Sequence, residues 1–166
     1  MKVDTRTNLY IGSVAAAMLI VALASVALWP VAPNTPHVLI GEMLLALVIL
    51  AQRFPIRFQR QTEATLVTVP IFMAVLLVHP AEAVLISALG VGVAQRLCRM
   101  PLKPIVFNAS VFGLAAGFAG VAWYGLGQGS GSLTLTPLPL AIASVAALIQ
   151  HGMNVGLVLG MVSIRK

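Results

Sequence analysis

Gln150, His151 and Asn154 are the side chains of this sequence whose types and spacing best suit chemistry. They stand near the middle of a long apolar stretch. On a helix, separations of three and four residues bring Asn154 to the same side as its two neighbours. Amide and imidazole groups at such a depth must find partners, so they should face an interior or a wet cavity. Two kinds of partner fit. One is a neighbouring helix, through a hydrogen bond worth about 0.6 kcal/mol. The other is a ligand or a transferred proton. Glu42 and Asn108 are the candidate companions, and with the first three they form the expected ligand-binding set. Glu42 is the one carboxylate that could be truly intramembrane, able to hold a cation or a proton. It could equally stand exposed at a loosely defined helix start. Ser110 adds a hydroxyl near Asn108, about two turns inside the cytoplasmic face, and Thr65 and Thr68 add two more, three residues apart on the third predicted helix.

Other chemistry lacks material. The chain has four acidic residues and one cysteine. It contains no phosphate-binding glycine loop, no HExxH, no G-x-S-x-G, no close carboxylate pair and no cysteine–histidine cluster. An enzyme is therefore not expected, and no cofactor is called for. His151 alone makes no metal site, because His37 and His79 belong to the outer edge. Cys98, between Arg96 and Arg99, reads as an incidental small residue at a helix end.

The elements that must position these residues follow from composition and charge. Of 166 residues, 60% are hydrophobic and 8% charged, and mean hydropathy is +1.02. A soluble domain carries about 25% charged residues. The expectation is one integral membrane domain spanning 1–166. The ten basic residues fall in four groups: Lys2 with Arg6; Arg53, Arg57 and Arg60; Arg96, Arg99 and Lys103; Arg165 with Lys166. Between them lie three apolar stretches, each read as two crossings. Because basic flanks stay on the cytoplasmic side, the pattern predicts an all-α bundle of six transmembrane helices with both termini cytoplasmic, in a bacterial inner membrane. The positive-inside pattern accounts for every basic residue, so the net charge of +6 calls for no nucleic-acid partner. Membrane lipids are the expected contact.

The predicted helices are 8–29, 38–52, 62–78, 81–98, 103–126 and 140–164. The first is too long for a signal-peptide core of about 7–15 residues and reads as retained. Thr62 is the expected N-cap of the third, with Glu63 favourably placed against its dipole. Pro70 should kink it, and His79-Pro80 should turn tightly into the fourth. Residues 127–139 read as the longest external loop. Gly113 with Gly117, and Gly156 with Gly160, form two GxxxG pairs that let helices approach closely, within the bundle or between copies.

Arg53-Phe54-Pro55-Ile56-Arg57 and Arg99-Met100-Pro101-Leu102-Lys103 share the form basic-x-Pro-x-basic. It hints at a duplicated helix pair. The first of these, Phe54-Pro55-Ile56-Arg57 followed by Glu63-Ala64-Thr65-Leu66, and the later Lys103-Pro104-Ile105-Val106-Phe107-Asn108-Ala109 with Asn154, resemble a known arrangement. It is that of the N-terminal multi-helix membrane regions of bacterial HD-GYP phosphohydrolases and diguanylate cyclases. The resemblance covers roughly 45–160. It implies a sensory or anchoring module coupled to a cytoplasmic signalling domain. No such output domain follows Lys166, so no phosphodiesterase or cyclase activity carries over. The chain would be a stand-alone copy or the front end of something longer. A second resemblance, to the small six-helix substrate-binding components of energy-coupling-factor transporters, implies instead a transport role with transporter subunits as partners. Ser13 and Ala17 would then lie on a docking face.

Overall fold

Runs of Ala, Leu and Val with few polar interruptions fold as helices, since a helix closes its backbone hydrogen bonds within one segment. The computed structural model describes residues 3–30, 35–54, 56–59, 62–64, 66–126 and 137–165. Among them are six helices: α1 (Val3–Leu28), α2 (Thr35–Arg53), α3 (Thr68–Leu77), α4 (Pro80–Leu97), α5 (Leu102–Gly125) and α6 (Pro137–Arg165). A small antiparallel hairpin, β1 (Ile56–Gln59) and β2 (Thr62–Ala64), joins α2 to α3.

Proline sets where five of the helices begin. Pro36, Pro70, Pro80, Pro104 and Pro137 each fall within the first three residues of their helix. The missing N–H is harmless there, because first-turn amides have no intrahelical acceptor. This explains why α2 and α6 start earlier than 38 and 140: their prolines open the helix rather than closing the loop before it.

The same rule corrects the third helix. A helix over 62–78 would set the Pro70 ring against the Leu66 carbonyl and remove the bond between them. Instead α3 starts at Thr68 and Pro70 stands in its first turn, with no kink. Val69 donates to the Leu66 carbonyl at 3.1 Å and Ile71 to that of Val67 at 3.3 Å. Thr62 and Glu63 are not a cap; they pair in β2, where Glu63 is opposite Arg57. Val67, the actual N-cap, makes no side-chain cap bond. Thr65 and most of 127–139 lie outside the described residues.

With 10 residues, α3 is about 15 Å long, half the thickness of a bilayer core. Among the described residues, three helices, not six, are long and apolar enough to cross a membrane: Thr5–Leu28, Leu102–Gly125 and Pro137–Ile164. Their surroundings differ. Of the spanning segment, 61% is buried in α5 but only 11% in α1 and 17% in α6. So α5 is the axis, and α1 and α6 are its flanks. The outward faces carry Leu19, Ile20 and Leu23 on α1, Leu85 and Leu89 on α4, and Leu148 and Leu159 on α6, all exposed. So much apolar surface is not left against water. The spans and this exterior together describe a membrane-embedded protein.

Glycines let the helices close on α5 and α4. A Cβ at Gly117 would lie 2.7 Å from Val21 Cγ1 of α1 and 2.8 Å from Val84 Cγ2 of α4. One at Gly113 would meet Met18 Sδ at 2.7 Å and Ala88 Cβ at 3.2 Å. The first GxxxG pair thus packs inside the chain. The second divides. Gly160 faces Tyr10, whose hydroxyl donates to the Leu157 carbonyl at 2.8 Å. Gly156 has nothing within 4 Å of a would-be Cβ. Gly156→Ala is therefore expected to stabilise the isolated chain by about 0.5–1 kcal/mol through helix propensity alone, measured as a higher unfolding midpoint in detergent. A lower midpoint would show that Gly156 is covered.

At one end of the bundle three elements meet on His79. Its Nδ1 accepts from the Ala81 N–H at 3.2 Å, capping α4. Nε2 lies 2.7 Å from the Trp29 carbonyl, just past α1. A carbonyl only accepts, so the network assigns the ring proton to Nε2. The His79 N–H donates to Glu82 Oε2 at 3.3 Å, completing a capping box. Tyr124 near the end of α5 sets its ring edge-on to both His79 (5.5 Å) and Trp29 (5.9 Å).

At the opposite end, α4 stops in a Schellman turn. Met100 donates to the Gln95 carbonyl and Arg99 to that of Arg96. Arg99 takes the left-handed position, φ 58°, usually held by glycine.

Candidate functional site

The buried polar groups divide into those closed within the fold and those left open. Ser25, Ser87 and Ser110 return their hydroxyls to the carbonyls of Val21, Ala83 and Val106, four residues back. This satisfies a hydroxyl at a close-packed position without a second helix. Asn108 donates its amide to Gln95 Oε1 at 3.2 Å, tying α5 to α4. Among the described residues, two buried side-chain atoms have no partner: Gln52 Oε1 and Gln150 Nε2.

Gln150, with its Nε2 covered, lines a cavity of about 340 Å³ between α3, α5 and α6. Ala147, Gln150 and Asn154, three and four residues apart, present one face of α6 to it. His151, one step round the helix and exposed, forms the rim. From α3 come Thr68, Val69, Phe72 and Met73, and from α5 Phe112 and Ala115. Gln150 itself is 94% buried, leaving 6% exposed. The polar groups converge on one wall, and the rest is apolar and aromatic. That is the usual composition of a small-molecule pocket.

Of the five residues expected to bind a ligand, three line this cavity. Asn108 does not: its amide is turned toward α4 and engaged by Gln95. Glu42 does not either. It is exposed on α2, a helix that packs on α3 and α4 and has no contact with α6 among the described residues. The α2 core face is Leu44 and Val48. At 100° per residue Glu42 points some 160° away from Leu44. Depth along a helix is readable from sequence, whereas facing depends on which stripe the neighbours choose.

Sequence reasoning missed Phe72, Met73 and Phe112. Aromatic and Met side chains in an apolar run carry no signal that separates a pocket wall from a core or a lipid face. Thr68 was noticed only for its hydroxyl. Its position at the first residue of α3 gives it a second property. The uncapped helix N-terminus it occupies carries a partial positive charge.

A second cavity of about 340 Å³ lies on the other side of α3, against α2. Leu44, Leu47 and Leu50 of α2 and Leu66 before α3 line it, and it shares Val69 and Met73 with the first. Among the described residues, no polar side chain lines it. Neither cavity has, among the described residues, a Lys, Arg, Asp, Glu or Cys in its wall, so what these walls offer a ligand is shape, hydrogen bonds and apolar contact. Compared with protein families, curated proteins and solved structures, this chain matches none.

Proposed function

We propose that this chain is a six-helix inner-membrane sensory module that binds a small lipophilic ligand in the α3–α5–α6 cavity. Occupancy passes along α6 toward a cytoplasmic output. Both termini of the chain lie on the cytoplasmic side in this reading. Supporting that orientation, Arg53, Arg96, Arg99 and Lys103 are exposed at the ends of α2, α4 and α5, opposite the Trp29–His79–Tyr124 junction. Here α2 and α4 cross beside the three long spans, and α3 descends only halfway.

The observation that carries the reading is the unpartnered amide of Gln150. It lies about 20 Å from either end of the 29-residue α6, near the bilayer midplane. A buried donor without a partner costs about 1–3 kcal/mol, which a ligand acceptor would recover. The likeness of the Phe54-Pro55-Ile56-Arg57 and Phe107-Asn108-Ala109 segments to membrane regions of signalling proteins favours a sensor.

Gln150→Leu tests it. In delipidated protein the variant is expected to be more stable than wild type by about 1–2 kcal/mol, since it removes an unsatisfied group of similar volume. It should also lack the rise in unfolding midpoint expected of the wild type with a bacterial membrane lipid extract. Asn154→Leu should weaken that rise. A Gln150→Leu protein that is less stable, or that responds like wild type, would sink the proposal.

A further inference from the structure

Resting on that reading, we infer that the ligand is a single-chain lipid with an uncharged carbonyl head: the head is held at Gln150 and the chain crosses α3 into the groove against α2. Three observations lead there. The first is the polarity of the free groups. Gln150 Nε2 is a donor without an acceptor, in a residue more than nine-tenths buried. Thr68, at the first residue of the 10-residue α3, lines the same cavity and brings a hydroxyl that can donate. A hydroxyl donor there favours the same kind of ligand atom, an oxygen that accepts.

The second is the lack of countercharge. Among the described residues, no Lys or Arg lines either cavity. A carboxylate or phosphate brought to this depth would be desolvated with no cation to offset it. A carbonyl oxygen takes the same hydrogen bonds without that penalty. His151 and Asn154 stand beside Gln150 to receive any second polar atom on the head.

The third is the shared wall. Val69 and Met73 border both cavities and are themselves exposed. A ligand lying over them is continuous from the polar pocket to the apolar groove of Leu44, Leu47 and Leu50. The short α3 makes this crossing possible, because no further helical turn lies beneath Thr68. Entry is lateral, from the lipid phase.

The test uses the full chain in lipid nanodiscs with four probes: a seventeen-carbon methyl ketone, the matching alkane, the matching fatty acid, and acetone. The ketone is expected to raise the unfolding midpoint in proportion to the logarithm of its concentration. The alkane and acetone, lacking head or chain, should not at equal concentration, and the fatty acid should act only at low pH, where it is uncharged. Leu47→Trp, which fills the groove, should weaken the ketone response by about tenfold or more. Equal stabilisation by ketone and alkane, or an unchanged response in Leu47→Trp, overturns the inference. If the ketone is inert while a membrane lipid extract still stabilises wild type and not Gln150→Leu, the ligand class is wrong and the sensory pocket stands. If no response depends on Gln150, both fall.

Discussion

Gly117→Leu is expected to cost the bundle more than about 3 kcal/mol, the upper end of overpacking penalties. The position is blocked from two sides. A single added carbon would lie 2.7 Å from Val21 and 2.8 Å from Val84. Val84 is fully buried, and both neighbours are β-branched, so neither can turn aside without meeting its own helix. The only relief is to move α1 or α4 away from α5, which opens the contacts on either side. Gly113→Leu should be milder for a reason visible in the same geometry. Its nearest obstacle is the thioether of Met18, the far end of a flexible chain. The measurement is the unfolding midpoint of each variant in mild detergent, with Gly156→Leu as the control, since nothing packs there. Equal loss at positions 113, 117 and 156 would show that helix propensity, not close approach, sets the effect.

His79→Ala should have the next largest effect, about 2.5–4.5 kcal/mol. The imidazole holds three contacts at once. Its loss uncaps α4, which costs about 1–2 kcal/mol. It leaves the Trp29 carbonyl without its donor, about 1 kcal/mol, and removes an edge-on ring contact with Tyr124 worth about 0.5–1.5 kcal/mol. His79→Asn separates these. Asparagine caps helices well but is too short to keep the bond to Trp29, so it should restore roughly half the loss. Hydrogen exchange gives a second view: the Ala81 amide should be protected in His79→Asn and fast in His79→Ala. An Asn variant no better than Ala would mean that the cap contributes little. An Ala variant as stable as wild type would mean that the junction is held elsewhere.

What could be read from the sequence follows what hydrocarbon penalises. The Gln150–His151–Asn154 group stood out because polar side chains are expensive in an apolar run, and three of these residues do share a cavity wall. Basic residues stood out for the same reason, and those with described side chains lie exposed near helix ends. The rest was hidden because it depends on tertiary choice. Glu42 has the right depth and the wrong face, since α2 turns Leu44 and Val48 inward. Asn108 has the right helix, but Gln95 of α4 engages its amide. The hairpin at 56–64 was invisible because Thr62 and Glu63 fit a helix start as well as they fit a strand. Pro70 was read as a kink because its effect depends on how far the helix extends before it. In the first turn the ring clashes with nothing.

The α4–α5 corner shows a different economy. Arg99 occupies a backbone position where a side chain costs about 1 kcal/mol, and glycine would turn the same corner without strain. A glycine would also bring no charge to the membrane face. The chain is therefore slightly less stable at this corner than its backbone allows, and it holds there an exposed guanidinium, which in the proposed orientation marks the cytoplasmic side. Direction of insertion and depth of the energy minimum are separate quantities, and at residue 99 they favour different amino acids.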